Sequence, residues 1–153
     1  MKLLLIQHGH AKDKSEDTDR PLTAHGEHVI DLVGSFLSQK TRVEEIWHSG
    51  KLRAQQTAQH LAPFVGPEAP IVRNEDLKPS SPAPPIAELV VREAKNIAIV
   101  AHMPHLSKLA SFLLSGNEED DIIAFEKGGV VCLAQDAGNW QVSWMVTPTL
   151  LGV

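Results

Sequence analysis

Leu3-Leu4-Leu5-Ile6-Gln7-His8-Gly9-His10 opens the chain with four consecutive apolar residues that stop at a polar, glycine-containing turn. A continuous apolar run, unlike an alternating one, is the pattern of a strand covered on both faces, as in a parallel sheet with helices above and below. The run predicts a buried strand that delivers Gln7 and His8 to its C-terminal edge. In open α/β sheets, ligands bind at that edge.

The rest of the chain repeats this junction. A charged loop, Lys12 to Arg20, leads to Thr23, a helix N-cap by type, and then to a helix over about 24–39 with Val29, Leu32, Val33, Phe36 and Leu37 on one stripe. Glu45 to Ser49 reads as a second strand, followed by a Gly50 turn and a helix from Leu52 to Pro63. Ile71-Val72 is a short strand, the proline-rich 78–85 a rigid loop, and 86–94 a short helix. Asn96 to His102 is a third buried strand ending in histidine, with a helix over 106–114 after it. The segments Ile122–Phe125, Gly129–Ala134 and Gln141–Val146 have no helix between them and predict an antiparallel meander. Strands that alternate with helices and then end in a meander predict a three-layer α/β/α sandwich, with a mostly parallel central sheet and antiparallel strands at one edge.

Composition bounds what such a fold can do. At 153 residues, 42% apolar and 22% charged, the chain is ordinary for a globular protein, and its length predicts one domain over 1–153. A net charge of -5 argues against general affinity for nucleic acid or an anionic membrane, so any phosphate must be bound locally. The lone Cys132 permits no internal disulfide, which fits a reducing compartment. The apolar run at 3–6 is shorter than the roughly 7–15 residues of a signal-peptide core, and no run approaches the roughly 18 of a membrane span. These features together predict a cytoplasmic protein.

Parallel strands put their C-terminal ends on one side, so His8, Lys51, Arg53 and His102 can converge although they lie far apart in sequence. A neutral imidazole is a good nucleophile at pH 7, and covalent catalysis divides a hard displacement into two easier ones. Phosphoryl transfer also needs donors and positive charge around the equatorial oxygens, which Arg53 and a second histidine can provide without a metal or other cofactor.

Four motifs in this order carry a family resemblance: His8-Gly9; Arg20-Pro21-Leu22-Thr23-Ala24-His25-Gly26; Leu52-Arg53-Ala54-Gln55-Gln56-Thr57-Ala58; and Val100-Ala101-His102-Met103-Pro104. They resemble the histidine phosphatase superfamily, the set containing phosphoglycerate mutases and acid phosphatases, and in particular its small SixA-type phosphohistidine phosphatases. The resemblance implies a phosphoglycerate mutase-like fold and a metal-independent phosphatase working through a phosphohistidine intermediate. It implies His8 as the phospho-accepting nucleophile, Arg53 and His102 as clamps on the phosphoryl oxygens, and Arg20 at the pocket rim. Gln7, Gly9 and Lys51 complete the expected substrate-binding set. Asp76, or Glu75, is the expected general acid, in the loop after the third strand.

The partner implied is a phosphorylated protein, for instance one with a phosphohistidine domain, or a small phosphorylated molecule. Where the family's first motif has arginine before the nucleophile, this chain has Gln7. That position leaves a second reading open, a phosphate- or phosphoprotein-binding relative with weak or no turnover. A third reading, a metal hydrolase, rests on His8-x-His10, which also resembles the start of amidohydrolase barrels. The chain is far shorter than the roughly 250 residues of such a barrel.

Overall fold

In the computed structural model, which describes residues 1–153, β1 (Lys2–Gln7) runs through the middle of a sheet. Its parallel neighbour is β4 (Ile97–Ala101), and its antiparallel one is β5 (Val130–Asp136). The parallel half continues through β2 (Glu45–His48) to β3 (Ile71–Arg73), and β6 (Asn139–Val146) pairs antiparallel with β5. The six strands stand in the order β3-β2-β4-β1-β5-β6.

The apolar run of β1 is continuous because both of its faces are covered. Leu4 and Ile6 enter a core with α1 (Ala24–Leu37) and α2 (Leu52–Val65). Leu3 and Leu5 enter another with α3 (Pro84–Glu93) and α4 (His105–Ser115). All four side chains are at most 1% exposed. The result is a three-layer α/β/α arrangement with a mostly parallel sheet and antiparallel strands at one edge.

Thr23 caps α1, its side-chain oxygen accepting the Gly26 N–H at 2.9 Å. The buried stripe of α1 is Val29, Ile30, Val33 and Leu37, whereas Leu32 and Phe36 are 36% and 41% exposed. The buried stripe is rotated from the predicted one toward Ile30, with Gly34 against Phe64 of α2 and Gly26 against the His10 backbone. Helix α2 passes through Pro63 and ends two residues later, where Val65 still packs in the core. Proline removes one N–H but keeps a helical φ, so the helix closes without breaking.

The predicted strand at Ile122–Phe125 does not form; these residues are irregular. The edge of β1 beside it is taken by β5, and the edge of β5 by β6. Ile122 donates its N–H to Ser111 Oγ at 3.1 Å instead, and Ile123 packs into the α3/α4 core.

A Cβ on Gly26 would collide with the His10 carbonyl oxygen, so α1 starts directly against the turn that follows His8. Gly26→Ala is expected to lower the unfolding free energy by about 1–3 kcal/mol, read by urea denaturation, since backbone must move to admit the methyl.

Candidate active site

The strand register assembles the site. Gln7 lies opposite Ala101 and His48 opposite Val100, so His8, Ser49 and His102 follow three adjoining parallel strands onto one edge. The His8 N–H donates to the Ala101 carbonyl at 3.1 Å. Helix α2 starts just past β2, which puts Arg53 in its first turn. A short relay ties that turn to the end of β1: the Gly9 N–H donates to Thr57 Oγ1 at 3.0 Å, and the Thr57 hydroxyl donates to the Arg53 carbonyl at 2.8 Å.

His8 is 7% exposed, and its Nδ1 lies 2.7 Å from the Gly9 carbonyl oxygen. A carbonyl only accepts, so Nδ1 carries the hydrogen and Nε2 keeps a free lone pair. Burial pushes the ring's pKa down to about 4, against a partial upward pull from the Gly9 carbonyl. The charges of Arg53, Lys127 and Arg20 push in the same direction as burial. His8 is therefore neutral at pH 7, with the protonation state and tautomer that a nitrogen nucleophile requires.

The His102 ring lies 5.0 Å from that of His8, centroid to centroid, and is tilted by 51°. Its Nε2 is 2.6 Å from Ser49 Oγ, which also accepts the Lys51 N–H at 3.3 Å. Burial, then the neighbouring His8, Arg53 and Lys51, lower its pKa to about 3. Two buried polar atoms at this edge have no partner in the protein, His102 Nδ1 and Arg53 Nε. A buried polar group left unpaired costs about 1–3 kcal/mol. An anion seated beside His8 would satisfy donors of this kind.

A family model for the histidine phosphatase superfamily (branch 1) matches residues 3–79, which include His8, Arg20 and Arg53. The chain belongs to the histidine phosphatase superfamily. It is 32% identical over 151 residues to an uncharacterized protein of Picosynechococcus sp., covering 92% of this chain and 89% of that relative. In fold it resembles the protein histidine phosphatase SixA complexed with tungstate, with a TM-score of 0.85, 24% identity and 99% of each chain covered. The α-ribazole phosphatase of Shigella flexneri superposes with a TM-score of 0.79 at 18% identity, with 97% of each chain covered.

In this histidine phosphatase superfamily member the other candidate residues fall in different places. Gln7 is 9% exposed at the end of β1, and its carbonyl accepts the Gly128 N–H at 2.9 Å. Gly9 does not offer a free amide to a phosphate: Thr57 takes its N–H, and its carbonyl holds His8. Arg20 pairs with neither Asp17 nor Asp19. Its Nε donates to the Lys12 carbonyl at 3.1 Å, and its charge acts on both His8 and Arg53. Lys51 is exposed at the N-cap of α2 and acts on His102.

The expected acids are elsewhere. Glu75 Oε1 and Oε2 bind Arg73 Nε at 2.6 Å and Lys78 Nζ at 2.9 Å on the surface. Lys78 and then Arg73 hold its carboxyl below the usual range, the wrong direction for a proton donor near neutrality. The charge of Asp76 is felt at His105, three residues past His102, and the charges that act most strongly on His8, those of Arg53, Lys127 and Arg20, are cationic. No group of three or more His, Cys, Asp or Glu side chains is placed to hold a metal ion, and His10 Nδ1 lies 3.0 Å from the Thr23 hydroxyl. No helix is long and apolar enough to cross a membrane.

Three contributors escaped the sequence reading. Thr57 sits inside the motif around Arg53 and Ser49 just before it, and only the fold shows that they reach Gly9 and His102. Lys127 lies in an irregular loop, brought to the nucleophile because its neighbour Gly128 bonds Gln7. A lone lysine in a loop carries no local signal of that kind.

Folded His8 and His102 titrate at about 4 and about 3, against 6.5 when free in water. Below 6.5 the unfolded chain therefore binds the extra protons, and stability falls as pH drops from 6.5 through those values. Urea midpoints measured from about pH 7 down to about pH 4.5 are expected to fall, and to fall less in the His8→Gln/His102→Gln double variant.

Proposed function

We propose that the protein is a metal-independent phosphatase that transfers the phosphoryl group to His8 Nε2 and then to water, and that its substrates are phosphohistidine-bearing proteins. The observation that carries this is the state of His8: buried, neutral, its Nδ1–H held by the Gly9 carbonyl, and surrounded by cations. In the first step Nε2 attacks phosphorus and the substrate imidazole leaves. In the second, water attacks phospho-His8 and inorganic phosphate departs, leaving His8 with its lone pair restored. Arg53 and His102 hold the oxygens.

The cationic surroundings of His8, with Glu75 held on the surface by Arg73 and Lys78, favour phosphohistidine over an alkyl phosphate. An alkoxide needs a proton as it leaves. A phosphohistidine ring protonated on its other nitrogen departs as neutral imidazole, so the phosphoryl group passes between two like groups. Release of phosphate from a phosphohistidine peptide and from p-nitrophenyl phosphate, against the His8→Ala control, tests the proposal. Turnover of the peptide that exceeds the control is expected; phosphate binding without turnover would favour the binding-only reading suggested by Gln7.

In this account Lys127 supplies charge that Gln7 does not. Lys127→Gln is expected to lower kcat/KM by about tenfold, with Gln7→Arg restoring most of it in the double variant, since one cation near developing negative charge is worth a few kcal/mol at most.

A further inference from the structure

We propose that the cleft beside the phosphoryl pocket is a subsite for a second anionic group on the substrate, so that the preferred substrate is a protein segment with aspartate or glutamate close to its phosphorylated residue. This rests on the phosphatase reading above and narrows its substrate class. The cleft has a volume of about 640 Å³ and is lined by Lys14, Arg20, Lys51 and Arg53, with Asp19 as its single carboxylate. The chain carries 19 acidic against 14 basic side chains, yet none of these four cations is in an ion pair. The lysines and arginines that do form ion pairs are Arg73, Lys78 and Lys95. Four cations thus face one space that holds a single carboxylate.

Two further observations give the cleft a direction. Arg20 holds a left-handed backbone, φ 50°, uncommon for a residue with a side chain, and its guanidinium is anchored to the Lys12 carbonyl. Such strain is concentrated at ligand sites. Arg53 lines the cleft and also acts on His8, so an anion bound there neighbours the phosphoryl group. The cations come from two separate segments, 14–20 and 50–53, and only one lining residue is apolar. That suits an extended acidic segment more than a small ligand, whose sites are mostly apolar.

The test uses two phosphohistidine peptides of equal length, one with Asp and Glu flanking the phosphorylated residue and one with Asn and Gln. Their Kd is read on the His8→Ala protein by fluorescence anisotropy, and their kcat/KM on the native protein. The acidic peptide is expected to bind on the order of tenfold more tightly at low salt, a ratio that shrinks as salt is raised. Lys14→Gln is expected to reduce that ratio and Lys14→Glu to bring it to one or below. Equal Kd values for the two peptides, or a ratio indifferent to both Lys14 substitutions, would overturn the subsite. If neither peptide is hydrolysed, the phosphatase reading fails while the Kd ratio still decides the cleft. Displacement of the acidic peptide by a bisphosphorylated sugar at lower concentration than by the unlabelled acidic peptide would overturn the protein-segment class.

Discussion

His8→Ala is expected to reduce phosphatase turnover by roughly 10⁴–10⁶-fold, the scale on which loss of a covalent nucleophile is felt. The protein should still fold, because the substitution removes a polar ring from a site where burial already holds its pKa near 4. Inorganic phosphate should still bind, since Arg53, His102 and Lys127 remain. A rate deficit with binding retained separates a nucleophile from a residue that merely lines the pocket. Circular dichroism and the thermal midpoint of the variant check that the fold is unchanged.

Arg53→Gln is the second large effect. Its guanidinium is partly buried, its Nε has no partner, and the nearby Arg20 adds repulsion to the cost of burial. All of this is unfavourable in the free protein and becomes favourable only when an anion is bound or its charge develops in the transition state. Removing one such donor costs about 10²–10³ in rate. The thermal midpoint of Arg53→Gln is expected to equal or exceed that of the native protein, because an unpaired, partly buried charge has been removed. Loss of rate together with a gain in stability marks a group held in place for binding.

How far the sequence reads ahead of the structure depends on how local the physics is. The unbroken apolar runs of β1 and β4 announce a sheet covered on both faces, and their abrupt polar ends place His8 and His102 on its edge. Arg53 follows from the same rule applied to β2 and α2. The strand expected at Ile122–Phe125 has the composition of a strand and lacks only a free edge to pair with, a property of the whole sheet. Glu75 and Asp76 were placed by their position in the loop after β3, but Arg73 and Lys78 capture Glu75 on the surface.

Lys127 and Ser49 were missed for a related reason. Each reaches the site through a contact between distant segments: Gly128 to Gln7 for the first, His102 to Ser49 for the second. Periodicity carries no record of such closures. Gly50 shows the opposite case: the turn is legible in the sequence, and its φ of +87° and its N–H, which donates to His48 Nδ1 at 3.0 Å, both exclude proline there.

The acid side of the activity profile follows from the same burial. A nucleophile with its pKa near 4 stays unprotonated well below neutrality. kcat/KM is therefore expected to show no fall at the ordinary histidine value between about pH 7 and about pH 5.

In the proposed reaction the phosphoryl group resides on His8 during turnover. Brief exposure of the native protein to a ³²P-labelled phosphohistidine peptide, quenching in alkali and mapping of the labelled fragment tests it most directly. An alkali-stable label is expected on the fragment containing His8 and none in His8→Ala. Label on another residue, or steady turnover with none on His8, would contradict it.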